Sequence, residues 1–199
     1  MAELQAPLPG LRNSGGDTHI LDYLTEASNI CHRVSHADIE EMAKSLCAMK
    51  GKLYIIGMGG SLSNAIHMAA DFRKLCNLDA EAFDNIAELT ARANDEGVET
   101  IFVDWLKDSN IWDKLLVLSV GGGTSMVSNS LVKAIDAFKG QVLGIVGPHG
   151  GYTALKASIC IKIPVENSIH VTPHTEAFQM VISHCLVSHP LLQKNLTKW

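Results

Sequence analysis

Four side chains in two helix-like segments combine imidazole and carboxylate chemistry. His67 and Asp71 are four residues apart, so on a helix they share one face. Glu176 and His184 are eight residues apart, a rotation of roughly 80° that lets both border one cleft. Two imidazoles and two carboxylates can bind a divalent metal ion or transfer protons as general acid and base. Spacing alone also allows a plain surface ion pair, so all three interpretations stay open.

Two glycine-rich segments have the features of an anion site. Residues 57–63 read GMGGSLS and residues 119–125 read SVGGGTS, each between an apolar run and a helix-like stretch. Glycines let the backbone approach a ligand closely, and free N–H groups with nearby hydroxyls suit a phosphate. Neither segment is a Walker or dinucleotide motif, which argues against a nicotinamide cofactor. Such turns can be simple tight connections, but two of them with Ser and Thr favour a phosphorylated ligand.

Short apolar runs predict the sheet that positions these segments. The runs read like strands buried on both faces, and helix-like stretches alternate with them. This alternation predicts the α/β class, with an open five-stranded parallel sheet flanked by helices. Both glycine-rich segments would then follow strand ends, where such sheets bind ligands. The predicted strands cover 53–57, 81–83, 115–119, 142–146 and 159–163, and the helices 61–74, 86–93, 98–106, 125–138 and 151–157.

Both ends of the chain add further predicted elements. Helical spacing predicts a helix over 18–34, a second one capped by Ser35, and a long terminal helix over 173–193. The first two must cover the sheet, pack on each other or contact a second subunit. His174 and His189 lie beside prolines and are interpreted as helix-end residues. The Pro- and Gly-rich residues 1–16 predict a flexible arm before a single domain over 17–199.

Composition narrows the class of protein. The 199 residues are 47% hydrophobic and 19% charged, as in a globular protein. A net charge of -5 argues against a nucleic-acid partner. No apolar run reaches the roughly 18 residues of a membrane span, and the first residues do not resemble a signal peptide. The five cysteines form no Cys-x-x-Cys pair, so we expect neither a disulfide framework nor a zinc knuckle, and a cytoplasmic protein.

The motifs and their order resemble the phosphoheptose isomerase family of sugar isomerase (SIS) domains. Residues 57–71 are similar to the family motif Gly-Asn-Gly-Gly-Ser followed by His and Glu, and Asn94 and Asp95 to its Asn-Asp pair. Residues 119–124 fall at its Ser-Thr-Ser-Gly-Asn-Ser phosphate loop. Glu176 and His184 match a terminal-helix pair that is usually Gln and His. The resemblance runs from about residue 20 to residue 190.

The resemblance implies a fold, a reaction and a site. The fold would be a flavodoxin-like three-layer arrangement, assembled as a homotetramer with active sites at subunit interfaces. The reaction would convert D-sedoheptulose 7-phosphate to D-glycero-heptose 7-phosphate through an enediol, for surface polysaccharides. Each subunit would bind Zn²⁺ through His67, Asp71, Glu176 and His184, the last three being catalytic. Substrate contacts would come from Met58, Gly59, Gly60, Ser61, Asn94, Asp95, Ser119, Val120, Gly121, Thr124 and Glu176.

Several positions depart from the family pattern. Met58 replaces Asn, Val120 and Gly121 replace Thr and Ser, Asp71 replaces Glu, and Glu176 replaces Gln. The phosphate loop therefore depends on backbone N–H groups, Asp71 reaches less far, and Glu176 adds a charge that suits a divalent cation. Two alternatives stay open. One is a non-catalytic regulator that binds a phosphosugar or a replication initiator, and the other is an isomerase of a different phosphosugar.

Overall fold

The computed structural model describes residues 16–124 and 129–195. The predicted arm lies outside these residues except for Gly16, where the first helix begins. The helices are α1 Gly16–Arg33, α2 His36–Cys47, α3 Gly60–Cys76, α4 Ile86–Asp95, α5 Asn129–Ala137, α6 Gly151–Lys156 and α7 Val171–Val187. The strands are β1 Leu53–Ile56, β2 Ala80–Ala82, β3 Lys114–Ser119, β4 Gln141–Val146 and β5 Ile159–Lys162. Two 3₁₀ turns, Val98–Thr100 and Ser168–His170, lie before β3 and α7.

The predicted open parallel sheet is confirmed. The strand order is β2-β1-β3-β4-β5, and all four neighbouring pairs are parallel. The chain first adds β2 on one side of β1 and then places β3 on the other side, so the strand order reverses between β1 and β3. Ligands of such sheets bind outside the carboxyl ends at this reversal. The loops after β1 and β3 are the two glycine-rich segments.

The apolar runs of the strands reflect burial on both faces of the sheet. In β3, Leu116 and Leu118 face the core under α2, α3 and α7, while Leu115 and Val117 face the core under α5. All four side chains are fully buried. Because successive strand residues point to opposite faces, a sheet covered on both sides requires apolar residues at every position.

The segment over 98–106 is not the continuous helix that the apolar spacing predicts. A 3₁₀ turn covers Val98–Thr100, and hydrogen-bonded turns follow it. Ile101, Phe102 and Leu106 are still fully buried against the second face of the sheet. The segment is rich in β-branched residues, which lower helix propensity. The apolar spacing therefore reflects which residues are buried here, and their burial does not require a helix.

The terminal helix is shorter than predicted. Helix α7 spans Val171–Val187, six residues short of the predicted end at 193, and Ser188 is its cap. Pro190 disfavours helical backbone at the residue before it, so the helix stops ahead of this point. Pro173 is tolerated in the first turn, where a backbone N–H has no helical partner. Among the described residues, no helix combines the length and the apolarity that crossing a bilayer requires.

Candidate functional site

Helices α3 and α7 lie side by side in the same direction and carry the candidate residues. The Nδ2 group of Asn64 donates to the backbone oxygen of Glu176 and to Oε1 of Gln179, both at 2.9 Å. Gln179 in turn donates from Nε2 to Oγ of Ser61 at 3.1 Å. Gln179 and Ser61 are buried, so this network fixes the register between the two helices.

Replacing Asn64 with Ala should loosen this register. The substitution leaves the buried Oε1 of Gln179 without the Asn64 donor and removes an additional donor from the backbone oxygen of Glu176, and a lost partly buried hydrogen bond of this kind costs about 1–3 kcal/mol in the free energy of unfolding. Urea denaturation measures this loss. Ser63→Ala, on the exposed side of the same helix turn, is the control and should change stability by less than about 0.5 kcal/mol. Equal free energies of unfolding for the two variants would contradict the proposed role of Asn64 in fixing the register between α3 and α7.

His67, Asp71 and His184 form one cluster across the α3–α7 contact. The Oδ2 atom of Asp71 lies 3.2 Å from Nε2 of His67 and 3.5 Å from Nε2 of His184. The two imidazole rings are 5.5 Å apart at an edge-to-face angle of 69°. The Asp71 side chain is 15% exposed, while the imidazoles are about half exposed. One ligand atom from each residue lies within 4.8 Å of the others, so the cluster can bind a metal ion or exchange protons.

Glu176 lies apart from this cluster, at the first turn of α3. A Cβ atom on Gly60 would come within 2.5 Å of Oε2 of Glu176, so the carboxylate occupies space that only a glycine leaves open. His67 follows Gly60 by seven residues, which is roughly 10 Å along the helix axis. The carboxylate therefore lies at the positive end of α3, where a helix stabilises an anion.

The first glycine-rich loop offers backbone groups more than side chains. Gly59 has a φ of 59° and nothing within 4 Å of an added Cβ, so its backbone is open to a ligand. The Ser61 hydroxyl is buried and accepts from Gln179, although a hydroxyl that accepts can still donate. Met58 packs against the apolar core on the second face of the sheet. Its side chain thus has a packing role here.

The second glycine-rich loop is a tight, internally bonded turn. The Ser119 hydroxyl accepts from the backbone N–H of Gly122 at 2.9 Å, and the Thr124 hydroxyl donates to the carbonyl of Gly121 at 3.0 Å. Gly122 and Gly123 have φ values of 63° and 95°. Ser119 is buried, whereas Val120 and Gly121 are partly exposed and Thr124 is exposed. The loop thus combines an internal hydroxyl with accessible backbone beside the strand reversal. Ser125 lies outside the described residues.

Asn94 and Asp95 are the last two residues of helix α4, which extends two residues beyond the predicted end at 93. Both are exposed, and Nδ2 of Asn94 donates to Oδ1 of Asp95 at 2.7 Å. Glu96 caps the helix. The two polar side chains are therefore accessible to a ligand or to a second subunit.

Two buried polar residues of α7 were not singled out from the sequence. Gln179 connects α7 to Ser61, as described above. The Thr175 hydroxyl is fully buried, has no hydrogen-bond partner among the described residues, and packs against Gly147 after β4. Their place inside an apolar helix is a weak signal that Ser, Thr or Gln there has a specific partner.

A doubly wound parallel sheet with glycine-rich loops at its strand reversal and an acid–imidazole cluster beside them defines the sugar isomerase (SIS) class. Comparison with known proteins agrees with this class. Phosphoheptose isomerase of Rhodospirillum rubrum is 30% identical over 146 residues, covering 68% of this chain and 73% of the relative. The chain belongs to the phosphoheptose isomerase family, as the motifs predicted.

Further similarities extend over almost the whole chain. Phosphoheptose isomerase of Klebsiella pneumoniae is 26% identical over 195 residues, covering 94% of each chain. The solved structure of phosphoheptose isomerase from Neisseria gonorrhoeae matches with a TM-score of 0.74 at 20% identity, covering 86% of this chain and 97% of that one. No family model matches the chain. The structural match confirms the predicted fold class.

Proposed function

We propose that this protein is an aldose–ketose isomerase that converts D-sedoheptulose 7-phosphate to D-glycero-heptose 7-phosphate. The observation that carries the proposal is the cluster of His67, Asp71 and His184. Two of these residues lie on α3, which follows the first glycine-rich loop, and the third lies on the neighbouring helix α7. Membership of the phosphoheptose isomerase family supports the substrate class. The product would supply heptose for surface polysaccharides.

The length of α3 between the first glycine-rich loop and the cluster leaves room for an extended sugar. The cluster begins roughly 10 Å along α3 from this loop. We propose that the sugar lines this loop and that its carbonyl end lies near Asp71. Asn94 and Asp95 are proposed to contact the sugar hydroxyls.

The second glycine-rich loop is the better phosphate site of the two. The carboxylate of Glu176 already faces the start of α3, and a second anion there would be repelled. Around the second loop, Ser119, Val120, Gly121 and Thr124 offer hydroxyls and backbone. We propose that Gly59, Gly60 and Ser61, with Met58 beneath them, line the substrate beside Glu176 rather than enclose its phosphate.

The reaction moves a proton between adjacent carbons through an enediol. It requires a base at the carbon and an acid or cation at the oxygen that gains charge. Asp71 is the proposed base, because its carboxylate is the one held in the cluster. His184 is the proposed acid at the oxygen. Glu176, the other candidate carboxylate, lies closer to the loops and is proposed to contact the substrate there.

The cluster also fits a zinc ion. Imidazole and carboxylate are ligands that Zn²⁺ prefers, and three protein ligands leave a coordination position open for a substrate. His67, Asp71 and His184 would hold the ion, and Glu176 would join them as the predicted fourth ligand only if its side chain left Gly60. The ion would stabilise negative charge on the carbonyl oxygen. In that state Asp71 and His184 would both act as ligands rather than as base and acid.

Removing the metal ion should show whether the reaction depends on zinc or on acid–base catalysis by the side chains alone. If zinc takes part in the reaction, chelation followed by desalting is expected to lower kcat at least about 10-fold. Adding Zn²⁺ back should restore it, while Mg²⁺, which prefers oxygen ligands, should not. Zinc content and isomerase rate are measured on the same samples. Full activity in zinc-free protein would contradict a catalytic role for zinc and leave acid–base chemistry by the three side chains.

We propose a homotetramer with active sites at subunit interfaces, and the supporting observation is the exposed apolar surface of α1. Ile20, Leu21 and Leu24 are 65%, 67% and 61% exposed, and a group of large apolar side chains on one helix is typical of a subunit contact. Light scattering on the full chain measures the assembly. A monomer at working concentration would contradict it.

A cytoplasmic location is proposed from the cysteines. All five cysteines are free thiols. Burial raises the pKa of Cys76 and Cys160 to about 11, so both thiols stay protonated and unreactive. Free cysteines in this number are usual in a reducing compartment.

The proposed activity is tested on the purified full chain. Incubation with sedoheptulose 7-phosphate in D₂O should yield heptose 7-phosphate with deuterium at the reacting carbon, observed by NMR. A panel of other ketose phosphates serves as the comparison. Turnover of a different ketose phosphate alone would support the isomerase of another sugar, and binding without turnover would support the non-catalytic alternative. Either result would overturn the proposed substrate or the proposed reaction.

A further inference from the structure

A second group of metal-ligand side chains lies where α1 meets the start of α7. Oε2 of Glu26 lies 2.7 Å from Nδ1 of His170 and 2.9 Å from Nε2 of His174. One ligand atom of each residue lies within 4.8 Å of the others. The side chains are 26%, 19% and 1% exposed. None of the three belongs to the His67–Asp71–His184 cluster, and the sequence interpretation of His174 as a helix-end residue gives it no partner.

Neighbouring side chains hold these ligands in place. Nδ2 of Asn167 donates to Oε1 of Glu26 at 2.7 Å, which leaves Oε2 directed at the two imidazoles. The ring of Tyr23 stacks on His174 with centroids 4.2 Å apart and an angle of 24°. Supporting contacts of this kind orient the ligands of metal sites. The ligands therefore converge without depending on flexible surface side chains.

We propose that Glu26, His170 and His174 bind a second zinc ion, distinct from the proposed catalytic one. Two imidazoles and one carboxylate form a donor set that Zn²⁺ accepts, with a fourth position open to water. Bonds of roughly 2.0–2.1 Å at tetrahedral angles separate neighbouring ligand atoms by about 3.3 Å. The ring nitrogens now lie 2.7 and 2.9 Å from Oε2, so the ligands must separate by only about half an ångström.

A small cavity of about 30 Å³ borders Glu26 on the side of Asn29 and Asn167, and neither His170 nor His174 lines it. The ion would tie α1, the helix that carries the exposed apolar residues, to the start of α7.

Zinc stoichiometry on the full chain tests the site. One variant, His67→Asn with His184→Asn, disables the first cluster, and another, Glu26→Gln with His170→Asn, disables the second. The control is Glu40→Gln with His189→Asn, because that Glu–His pair, 3.1 Å apart, has no third ligand among the residues that the structure describes. Isothermal titration with ZnCl₂ is expected to show zinc binding to the second cluster in the variant that lacks the first cluster. This binding event should be absent from the variant with Glu26→Gln and His170→Asn. The control should bind as the unsubstituted protein does.

Two further readouts keep the test independent of folding and of activity. In the variant without the first cluster, Zn²⁺ at about 100-fold above its Kd should raise Tm by roughly 5–10 °C. Co²⁺ bound there should give the visible absorption of a low-symmetry site, which Zn²⁺ then removes. Zinc bound in a single equivalent that disappears with His67 and His184 would overturn the proposal. So would an unchanged Tm of that variant with Zn²⁺.

Discussion

Replacing Asp71 with Asn is expected to lower kcat for sedoheptulose 7-phosphate about 100- to 10,000-fold, the range that general acid–base catalysis contributes. Asn keeps the shape of the side chain but removes the negative charge that faces His67 and His184. It therefore removes both the proposed base and the proposed anionic metal ligand. KM should change much less, because the proposed phosphate contacts lie on the second glycine-rich loop and not in the cluster.

The comparison with Glu176→Gln identifies which carboxylate acts. Glu176 lies against Gly60 rather than in the cluster, so its neutral variant should change KM more than kcat. Steady-state kinetics on both variants, with deuterium exchange at the reacting carbon as a second readout, measure the difference. If Glu176→Gln lowered kcat and Asp71→Asn did not, the assignment of the base would be reversed. Full activity of both would remove both carboxylates from the mechanism.

The parts of the fold that the sequence predicted share one physical cause. Strand β3, Lys114–Ser119, lies between two helical layers, so its fully buried residues 115–118 must all be apolar, and such a continuous apolar run is hard to mistake. The segment after Gly97 was predicted wrongly because Ile101, Phe102 and Leu106 have the spacing of a helix while turns bury them equally well. Apolar spacing reports which residues are buried and only indirectly the backbone that buries them.

Only the parts of the site that depend on spacing within one helix could be predicted from the residues alone. His67 and Asp71 share a helix face, which the sequence gives directly. The arrival of His184 beside them depends on the register between α3 and α7, which Asn64 and Gln179 fix. That register came only from the family resemblance. The position of Glu176 depends on the space over Gly60, and no pattern in the sequence reports such a space.

The second cluster shows the same limit more strongly. Glu26 is 144 residues from His170 in the chain. Glu26 lies within α1 and His170 directly before α7, and neither position is unusual on its own. Their meeting follows from the packing of α1 against the start of α7. Long-range pairs of this kind leave no periodicity in one sequence. The interpretation of His174 as a helix-end residue therefore described its place in α7 and missed its partner.

The second large effect is expected from Gly122→Ala. A Cβ atom here would lie 2.0 Å from the backbone oxygen of Gly150, which cannot move as a side chain would. The φ of 63° adds the cost of left-handed backbone, about 1–2 kcal/mol, and overpacking adds roughly 1–3 kcal/mol. The loop that we propose holds the phosphate must shift, so KM should rise together with the loss of stability.

Gly59→Ala separates the two causes of this loss. Gly59 also has a positive φ, 59°, with a ψ of -128°, so Ala there carries a backbone cost of about 1–3 kcal/mol, but nothing lies within 4 Å of its added Cβ. It should therefore show a backbone cost without a steric clash, and Gly122→Ala, which has both, should be the less stable variant. Urea denaturation measures both. If both variants lost the same free energy of unfolding, the loops after β3 and β4 would separate easily. The close contact between Gly122 and Gly150 would then not determine the shape of the phosphate loop.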